Sequence, residues 1–449
     1  MTAQICVGNL FIWKANTHKI YKGLNPMPKN LKNLMPIADK KVAFVFSGLG
    51  AQWKNMGARL LEKEPVFREK LLACDRLFGR YTAQSVMEDI TADASDSPMK
   101  RIEVAHRCTF AIQTGLIELL RSWGLEPDSA MGHSAGEVPA AYTAGILSLE
   151  DAVTVVWQHC LLIEKAKGRG KMLFVALPVD DVQDILKKDQ RLSLAAVNSP
   201  KSAVLSGGEE LSEVKASLDS RGVFCRFLKM DMGFHSPQVE PYLPGFTYAL
   251  KDIRPKPAKI PAYSSFHGTL STKADDYDGV YWARHIREPV QFASAVQKMI
   301  EHGHNIFIEV SPHSVLSDSI HECFESGTWN VESEKKTDYL IVDTLRRDTD
   351  EKENLLKSLS VLHSSGYKFD WKKFSPQDQN KIKSFASNIK HQTSNIKHQT
   401  SNIKYQTSNI KHQASNIQFP ASSNHLYIRY QIRPYLFRMI STQVFLIWE

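Results

Sequence analysis

One short motif, Gly-His-Ser-Ala-Gly at residues 132–136, limits the possible fold of this chain more than any other stretch. A Gly-x-Ser-x-Gly sequence is typical of a sharp turn between a strand and a helix, with the serine at its apex. The glycines are needed because a side chain there would collide with the neighbouring strand or helix. Ser134 would then lie at a helix N-terminus, where free backbone N–H groups stabilise a developing oxyanion. The motif predicts an α/β fold with a candidate nucleophile, although an ordinary serine in a tight turn fits the same five residues.

Patterns on both sides of the motif predict one large α/β unit. Residues 41–46 have the composition of a buried strand and are followed by a Ser-Gly-Leu-Gly turn, while residues 130–132 form the strand that leads to the motif serine. An amphipathic helix is predicted over 110–123. Ser148 is predicted to cap a second helix, whose apolar residues recur at helical spacing. Residues 305–310 are predicted to add another strand to the same unit.

A separate unit is predicted at residues 171–232, between the serine motif and a later histidine. Its elements follow the order strand, helix, strand, strand, helix, strand, which is the βαββαβ order of a ferredoxin-like arrangement. The predicted elements are residues 172–177, 180–188, 192–197, 202–206, 209–220 and 223–229. We therefore expect a small subdomain inserted into the larger one.

The C-terminal part differs in composition from the rest of the chain. Residues 381–449 contain nine Lys and Arg against one Glu, which accounts for the whole formal charge of +8. From residue 387 a polar seven-residue unit, SNIKHQT, occurs four times with small changes. Each unit has one apolar position instead of the two that a coiled coil needs, so a disordered tail is predicted. Because the other residues are electrically balanced, the charge gives no evidence for a nucleic-acid partner.

Cysteine usage and hydropathy predict a cytoplasmic protein without a membrane partner. The six cysteines are scattered and include no Cys-x-x-Cys pair, which favours free thiols in a reducing compartment. No apolar run reaches the ~20 residues that a membrane helix needs. The short apolar patch near the N-terminus lacks the basic start of a signal peptide.

Several stretches, in this order, make the chain resemble the acyltransferase domain of polyketide and fatty acid synthases, a family that includes malonyl-CoA:acyl-carrier-protein transacylases. The resemblance covers about residues 41–375 and fits fungal reducing polyketide synthases best. The matching stretches are Phe-Val-Phe-Ser-Gly-Leu-Gly-Ala-Gln-Trp at 44–53, the serine motif, Asn-Ser-Pro at 198–200, Gly-Phe-His-Ser at 233–236, Tyr-Trp at 281–282, Pro-Val-Gln-Phe at 289–292 and Glu-Val-Ser-Pro-His at 309–313.

The resemblance implies a ping-pong transfer of an acyl group from coenzyme A to the phosphopantetheine thiol of an acyl carrier protein. It makes Ser134 the nucleophile and His235 its general base. The backbone carbonyl of Gln291 is expected to orient the imidazole, in place of the acid of a hydrolase triad. The backbone N–H groups of Leu49 and Ala135 are expected to form the oxyanion hole. No metal or bound cofactor is expected, because acyl-CoA is a substrate.

Four further residues are placed near the substrate by the resemblance: His133, His159, Phe234 and Asn198. His133, together with Glu137, also fits a role in shaping the turn around the serine. Asn198 also fits a simple turn position, and His159 also fits a structural histidine that lines the pocket.

Three residues depart from the family pattern. Leu49 stands where the family usually has Gln, which is harmless if only its N–H is used. Pro139 follows the serine closely and is expected to remove a helix hydrogen bond. His159 lies 25 residues after Ser134, where malonyl-selective members carry an arginine that binds the free carboxylate. Malonyl specificity is therefore in doubt.

The domain organisation that follows has six parts. They are a lead-in at 1–40, the large subdomain at 41–170, the ferredoxin-like subdomain at 171–232, the second part of the large subdomain at 233–335, a connector at 336–380 and the basic repeat tail at 381–449. Neighbouring synthase domains are possible further partners.

Two other functions remain open. The chain fits a catalytically impaired remnant that keeps only the fold or the docking of a carrier protein. It also fits a serine thioesterase on an α/β-hydrolase scaffold, which would need an acid between serine and histidine and no βαββαβ insertion.

Overall fold

The computed structural model of the protein describes residues 39–92, 97–271, 277–326, 338–391 and 394. The chain divides into two units, Met1–Thr393 and Ser394–Glu449, and all elements below belong to the first. The predicted lead-in up to residue 38 lies outside the described residues.

In the part of the chain that the structure describes, ten strands form two sheets. They are β1 (Val42–Phe46), β2 (Ser129–Gly132), β3 (Lys171–Val175), β4 (Ser193–Ser199), β5 (Ser202–Gly207), β6 (Cys225–Phe227), β7 (Ala262–Ser264), β8 (Thr269–Leu270), β9 (Ile306–Val310) and β10 (Leu340–Asp343). The larger sheet has the order β10-β9-β1-β2-β7-β8 and is parallel except for the pairing of β8 with β7. Strand β1 pairs on both edges and all five of its residues are buried, as its continuous apolar sequence predicts.

The α-helices connect and cover these strands. They are α1 (Ala58–Lys63), α2 (Pro65–Phe78), α3 (Val86–Thr91), α4 (Ile102–Ser122), α5 (Glu137–Thr143), α6 (Leu149–Ala166), α7 (Val179–Lys188), α8 (Glu210–Ser220), α9 (Leu243–Ala249), α10 (Gly279–Arg287), α11 (Phe292–Glu301), α12 (Ser317–Glu325), α13 (Glu351–Ser364) and α14 (376–391). Within the described ranges, no helix has the length and hydropathy required to cross a bilayer. The five cysteines there are free thiols.

Helix α4 is the central helix of the large subdomain and packs against α2 and α6. It begins eight residues before the predicted start at 110, and its buried residues lie on every side, including the polar Gln113 and Thr114. Gln113 donates to the carbonyls of Ser47 and Val310, which satisfies its amide inside the core. Ser148 caps α6 as predicted, by accepting from the backbone N–H of Asp151 at 3.0 Å.

The small subdomain confirms the predicted βαββαβ order. Its sheet has the antiparallel order β4-β5-β3-β6, with α7 and α8 as the two helices. Strand β4 also joins the large subdomain, because Val290 donates to Ala195 and accepts from Val197, both at 2.9 Å. This connection fixes the segment between α10 and α11 against the small sheet.

The connector predicted at 336–380 is instead part of the large subdomain. Strand β10 pairs in parallel with β9, and its four residues are buried. The side chain of Glu351, at the start of α13, accepts from the backbone N–H groups of Gly57, Arg59 and Leu60 and so caps α1. A contact across almost 300 residues of chain leaves no local sequence pattern, which is why the sequence alone did not assign it.

The tail predicted from residue 381 begins later. Residues 381–391 belong to α14, and Ile382, Ala386 and Ile389 are buried in the main core. The seven-residue spacing of the two isoleucines places them on one helix face, with Ala386 between them. Ile389, the apolar residue of the first repeat, is therefore part of the folded core. Apart from residue 394, the repeats after 391 lie outside the described residues.

Candidate active site

Ser134 lies on a tight turn between β2 and a 3₁₀ turn, Ser134–Gly136, that leads into α5. Its φ of 50° is in the left-handed region, which a serine adopts only when its surroundings force it. The two glycines of the motif are required by close approach. A Cβ on Gly132 would lie 2.1 Å from the carbonyl of Gly136, and one on Gly136 would lie 2.2 Å from the carbonyl oxygen of Phe46.

His235 faces this serine from the loop that follows the small subdomain. Its Nε2 lies 2.8 Å from Ser134 Oγ, and its Nδ1 lies 2.8 Å from the backbone carbonyl of Glu288. Because a carbonyl only accepts, Nδ1 carries the proton and Nε2 accepts from the serine hydroxyl. The arrangement has the geometry of a nucleophile paired with a general base.

The carbonyl that orients His235 is that of Glu288, not the predicted Gln291. Glu288 ends α10 in an extended conformation, so its carbonyl is free to leave the helix direction. Gln291 caps the next helix, and its carbonyl accepts from Ala295 in the first turn of α11. The prediction was therefore wrong by three residues because Gln291 starts a helix.

Burial lowers the pKa of His235 to about 3, and the nearby His285 contributes in the same direction. The imidazole is therefore neutral at pH 7, which is the form that can take a proton from Ser134.

The two predicted oxyanion-hole residues lie at the same pocket. Leu49 and Ala135 both line it with Ser134 and His235. The turn that carries Leu49 passes close over the serine, since a Cβ on Gly48 would lie 3.4 Å from the backbone nitrogen of Ala135.

The pocket around these residues has an empty volume of about 700 Å³, counting space open to solvent. Its walls are mainly apolar side chains from both subdomains, with five histidines: His106, His133, His159, His235 and His285. No lysine or arginine is among its described lining residues. Nor do the described residues contain a cluster of His, Cys, Asp or Glu arranged to hold a metal ion.

Residues 43–368 match the family described as Acyl transferase domain. This chain belongs to the acyltransferase domain family. The chain is 36% identical over 347 residues to erythronolide synthase EryA2 of Saccharopolyspora erythraea, an alignment that covers 76% of this chain and 9% of that protein. It is 37% identical over 334 residues to the spectinabilin polyketide synthase system protein NorA of Streptomyces orinoci, covering 74% and 17%. The chain thus spans less than a fifth of the length of either relative.

Solved acyltransferase domains share the fold. The acyltransferase domain from module 8 of the salinomycin polyketide synthase superposes with a TM-score of 0.71 at 32% identity, covering 76% of this chain and 79% of that one. A loading acyltransferase from the avermectin modular polyketide synthase superposes with a TM-score of 0.66 at 33% identity, covering 72% of this chain and 99% of that one. The resemblance to a polyketide synthase acyltransferase is confirmed, whereas its fungal affiliation stays a prediction.

Within this acyltransferase domain, Pro139 does not break the helix after the serine. It lies in the first turn of α5, where backbone N–H groups have no acceptor within the helix itself. The carbonyl of Pro139 still accepts from the hydroxyl of Thr143 at 2.7 Å.

The other predicted substrate residues have different environments. Phe234 lines the pocket next to His235. Asn198 lies in β4 and not in a turn, and its Oδ1 is 2.8 Å from Nε2 of His133, which lines the pocket. The structure thus connects Asn198 to the pocket through His133, without making it a lining residue.

Some residues at the site were missed or left vague by sequence reasoning. Glu137 is buried behind the serine, where it accepts from the N–H and hydroxyl of Ser265 and from Tyr281. His285 Nε2 lies 3.6 Å from Glu137 Oε2. The four residues come from three distant segments, so no local spacing could have joined them.

Proposed function

We propose that this domain transfers an acyl group from coenzyme A to a carrier-protein thiol, with Ser134 as nucleophile and His235 as general base. The observation that carries the proposal is the pair of 2.8 Å contacts that join Ser134, His235 and the Glu288 carbonyl. No acidic side chain is needed to hold the imidazole, and the inserted βαββαβ subdomain argues against the thioesterase alternative.

In the proposed first half-reaction, Ser134 Oγ attacks the thioester carbonyl carbon of acyl-CoA while its proton passes to His235 Nε2. The N–H groups of Leu49 and Ala135 stabilise the negative charge on the carbonyl oxygen. The C–S bond then breaks, the proton on Nε2 goes to the departing coenzyme A sulfur, and an acyl-serine ester remains. The second half-reaction runs the same steps in reverse with the phosphopantetheine thiol of an acyl carrier protein.

We further propose that malonyl is not the preferred acyl group. His159 is buried, and burial together with the neighbouring His106 lowers its pKa well below the usual value, so it carries no charge at pH 7. Because the described residues that line the pocket include no lysine or arginine, a free carboxylate would lack a cationic partner there. Burying an unpaired carboxylate in this apolar pocket costs its interaction with water, and a neutral acyl group avoids that cost.

The carrier protein, neighbouring synthase domains and a cytoplasmic location stay proposals, because the chain corresponds to a small part of its relatives. We expect neither a nucleic-acid partner nor a bound cofactor. The remnant alternative predicts no transfer at all, although the intact contacts of Ser134 and His235 speak for an active site.

Intact-protein mass spectrometry after incubation with a panel of acyl-CoAs tests the proposal directly. The native protein should gain the mass of one acyl group, and Ser134→Ala should gain none. His159→Arg should raise acylation by malonyl-CoA relative to acetyl-CoA by roughly 30-fold or more, since it restores one partner of a buried ion pair. Labelling that persists in Ser134→Ala would overturn the assignment, and native labelling by malonyl-CoA that His159→Arg leaves unchanged would overturn the substrate preference.

A further inference from the structure

His159 and His106 form a buried pair in the pocket wall. Nδ1 of His159 lies 3.2 Å from Nε2 of His106, and the two ring planes are almost parallel, with an interplanar angle of 18°. His106 comes from α4 and His159 from α6, so two long packed helices hold the pair in place. Both side chains line the same pocket as Ser134.

Two aromatic side chains also pack against the His159 ring. Phe246 stacks on it at 5.5 Å between ring centroids, and Trp282 meets it at an angle of 71°. These contacts restrict the rotation of the imidazole, so its two nitrogens have fixed positions. One nitrogen pairs with His106, and the other is left for another group.

That other nitrogen, Nε2 of His159, is buried without a hydrogen-bond partner among the described residues. A buried polar atom is almost always paired, because leaving it unpaired loses its interaction with water without replacement. Since His159 lines the same pocket as Ser134, an acyl group bound at that serine is the simplest candidate for the missing partner. A phenylalanine would fill the same space without this penalty.

The charge of the pair limits what that partner can be. Burial lowers the pKa of His106 to about 4 and that of His159 well below its ordinary value, so both rings are neutral at pH 7. When Nε2 carries the proton of the neutral His159 ring, it donates to a hydroxyl, ether or ketone oxygen, and when Nδ1 carries the proton, Nε2 accepts from a hydroxyl. Neither pairing has the desolvation cost of a carboxylate.

We infer that His159, positioned by His106, is a specificity-determining residue that hydrogen-bonds an oxygen substituent on a neutral acyl group. The substrate class is then a hydroxy-, alkoxy- or oxoacyl-CoA, as distinct from a plain or a carboxylated acyl-CoA. This inference rests on the proposed function, since it concerns the acyl group that Ser134 accepts.

The test compares acyl-CoAs that differ only in the oxygen. Butyryl-CoA is set against 2-hydroxybutyryl-, 3-hydroxybutyryl- and 3-oxobutyryl-CoA, and the initial rate of mass gain on Ser134 is measured for each. In the native protein, the initial rate with at least one oxygenated acyl-CoA should exceed the rate with butyryl-CoA by roughly 5- to 100-fold. The reason is that a site with a buried polar atom disfavours a substrate that leaves this atom unpaired.

Two variants assign that preference to the histidine. His159→Phe keeps an aromatic ring against Phe246 and should reduce the preference to within about 2-fold, while His159→Gln, which retains a hydrogen-bonding group, should keep part of it. His106→Phe should weaken the preference as well, because it removes the group that orients His159. Melting temperatures identify any variant that fails to fold. If His159→Phe does not fold, the comparison of His159→Gln with the native protein over the same acyl-CoAs shows whether the preference depends on His159.

The possible failures are distinguishable. If no acyl-CoA labels Ser134, the proposed function itself is wrong. If butyryl labels the serine but no oxygenated group is preferred, or if the preference survives in His159→Phe, the inference is wrong and the proposed function stands.

Discussion

At Ser134 and His235, the third partner is a backbone carbonyl, which fixes the imidazole without adding a negative charge. The carbonyl of Glu288 accepts from Nδ1 at 2.8 Å and thereby selects the tautomer with a free Nε2. In the proposed mechanism His235 becomes an imidazolium, which a carboxylate would stabilise more strongly than a carbonyl dipole does. The Glu288 carbonyl therefore acts on His235 mainly by orienting the imidazole, and only weakly by its charge distribution.

This dependence predicts different effects of two neighbouring substitutions. His235→Ala should slow acylation of Ser134 by ~10²–10⁴-fold, the usual contribution of a general base. Glu288→Ala should change the rate by less than about 3-fold, because only its main chain contacts the imidazole. Rates of mass gain with one acyl-CoA at saturation measure both. A large loss in Glu288→Ala, with an unchanged melting temperature, would mean that its carboxylate acts in the reaction.

The turn that carries the serine is the element on which the site depends most. Strand β2 ends at Gly132, the chain reverses, and Gly136 passes directly against the carbonyl of Phe46 in β1. Ser134, the proposed nucleophile, is thus held by the central strands of the large sheet, not by a flexible loop.

Gly136→Ala should therefore prevent or strongly weaken folding. Its Cβ would lie 2.2 Å from the backbone oxygen of Phe46, and backbone in the sheet centre moves only by breaking strand pairing. We expect insoluble protein or a loss of more than about 3 kcal/mol in unfolding free energy. Gly245→Ala is the matched control, since a Cβ in this exposed part of α9 meets nothing within 4 Å and should stabilise the protein by roughly 0.5–1 kcal/mol. Equal stability of Gly136→Ala and the native protein would contradict the close approach.

Sequence reasoning succeeded for elements whose signal is local. The alternation of strands and helices in the small subdomain, the strand β1 and the cap at Ser148 all follow from patterns within about ten residues. It failed where distant segments decide, as in the choice of Glu288 over Gln291. Likewise, His106 and His159 are 53 residues apart, and only the packing of α4 on α6 brings their rings together.

For the molecule as a whole, the buried neutral histidines predict sensitivity to mild acid. Burial lowers the pKa of His106 to about 4 and that of His235 to about 3, and it also lowers the pKa of His133 and His159. In the unfolded chain each has a pKa of about 6.5 and takes up a proton first. Stability is therefore complete above about pH 6.5 and falls as the pH drops toward 4.

Chemical unfolding between pH 8 and pH 5 measures this effect. Each such histidine should remove up to about 1.4 kcal/mol per pH unit below pH 6.5, with little change above it. His106→Gln should make the unfolding free energy depend less steeply on pH, by about the contribution of one histidine. An unfolding free energy that stays constant from pH 6.5 to pH 5 would show that these side chains are protonated in the folded protein.

The burial of helix α14 predicts how far the chain can be shortened without loss of stability. Helix α14 contributes Ile382 and Ile389 to the main core, and Lys352 of α13 lies 3.0 Å from Asp378 and 2.8 Å from Glu64. Burying two isoleucine side chains stabilises a fold by about 3–6 kcal/mol. A chain ending at residue 380 keeps Asp378 but loses both isoleucines, so its melting temperature should fall by roughly 5 °C or more.

A chain ending at residue 393 keeps both isoleucines and should melt within about 2 °C of the full-length protein, because its last residue is where the first unit ends. The double substitution Ile382→Ala and Ile389→Ala in the full-length chain is the control, and it should reproduce most of the loss seen at 380. If the chain ending at 380 instead has the melting temperature of the full-length protein, the burial of α14 does not contribute to the stability of the fold. If the chain ending at 393 is destabilised as much as the one ending at 380, residues beyond 393 must also stabilise the acyltransferase domain.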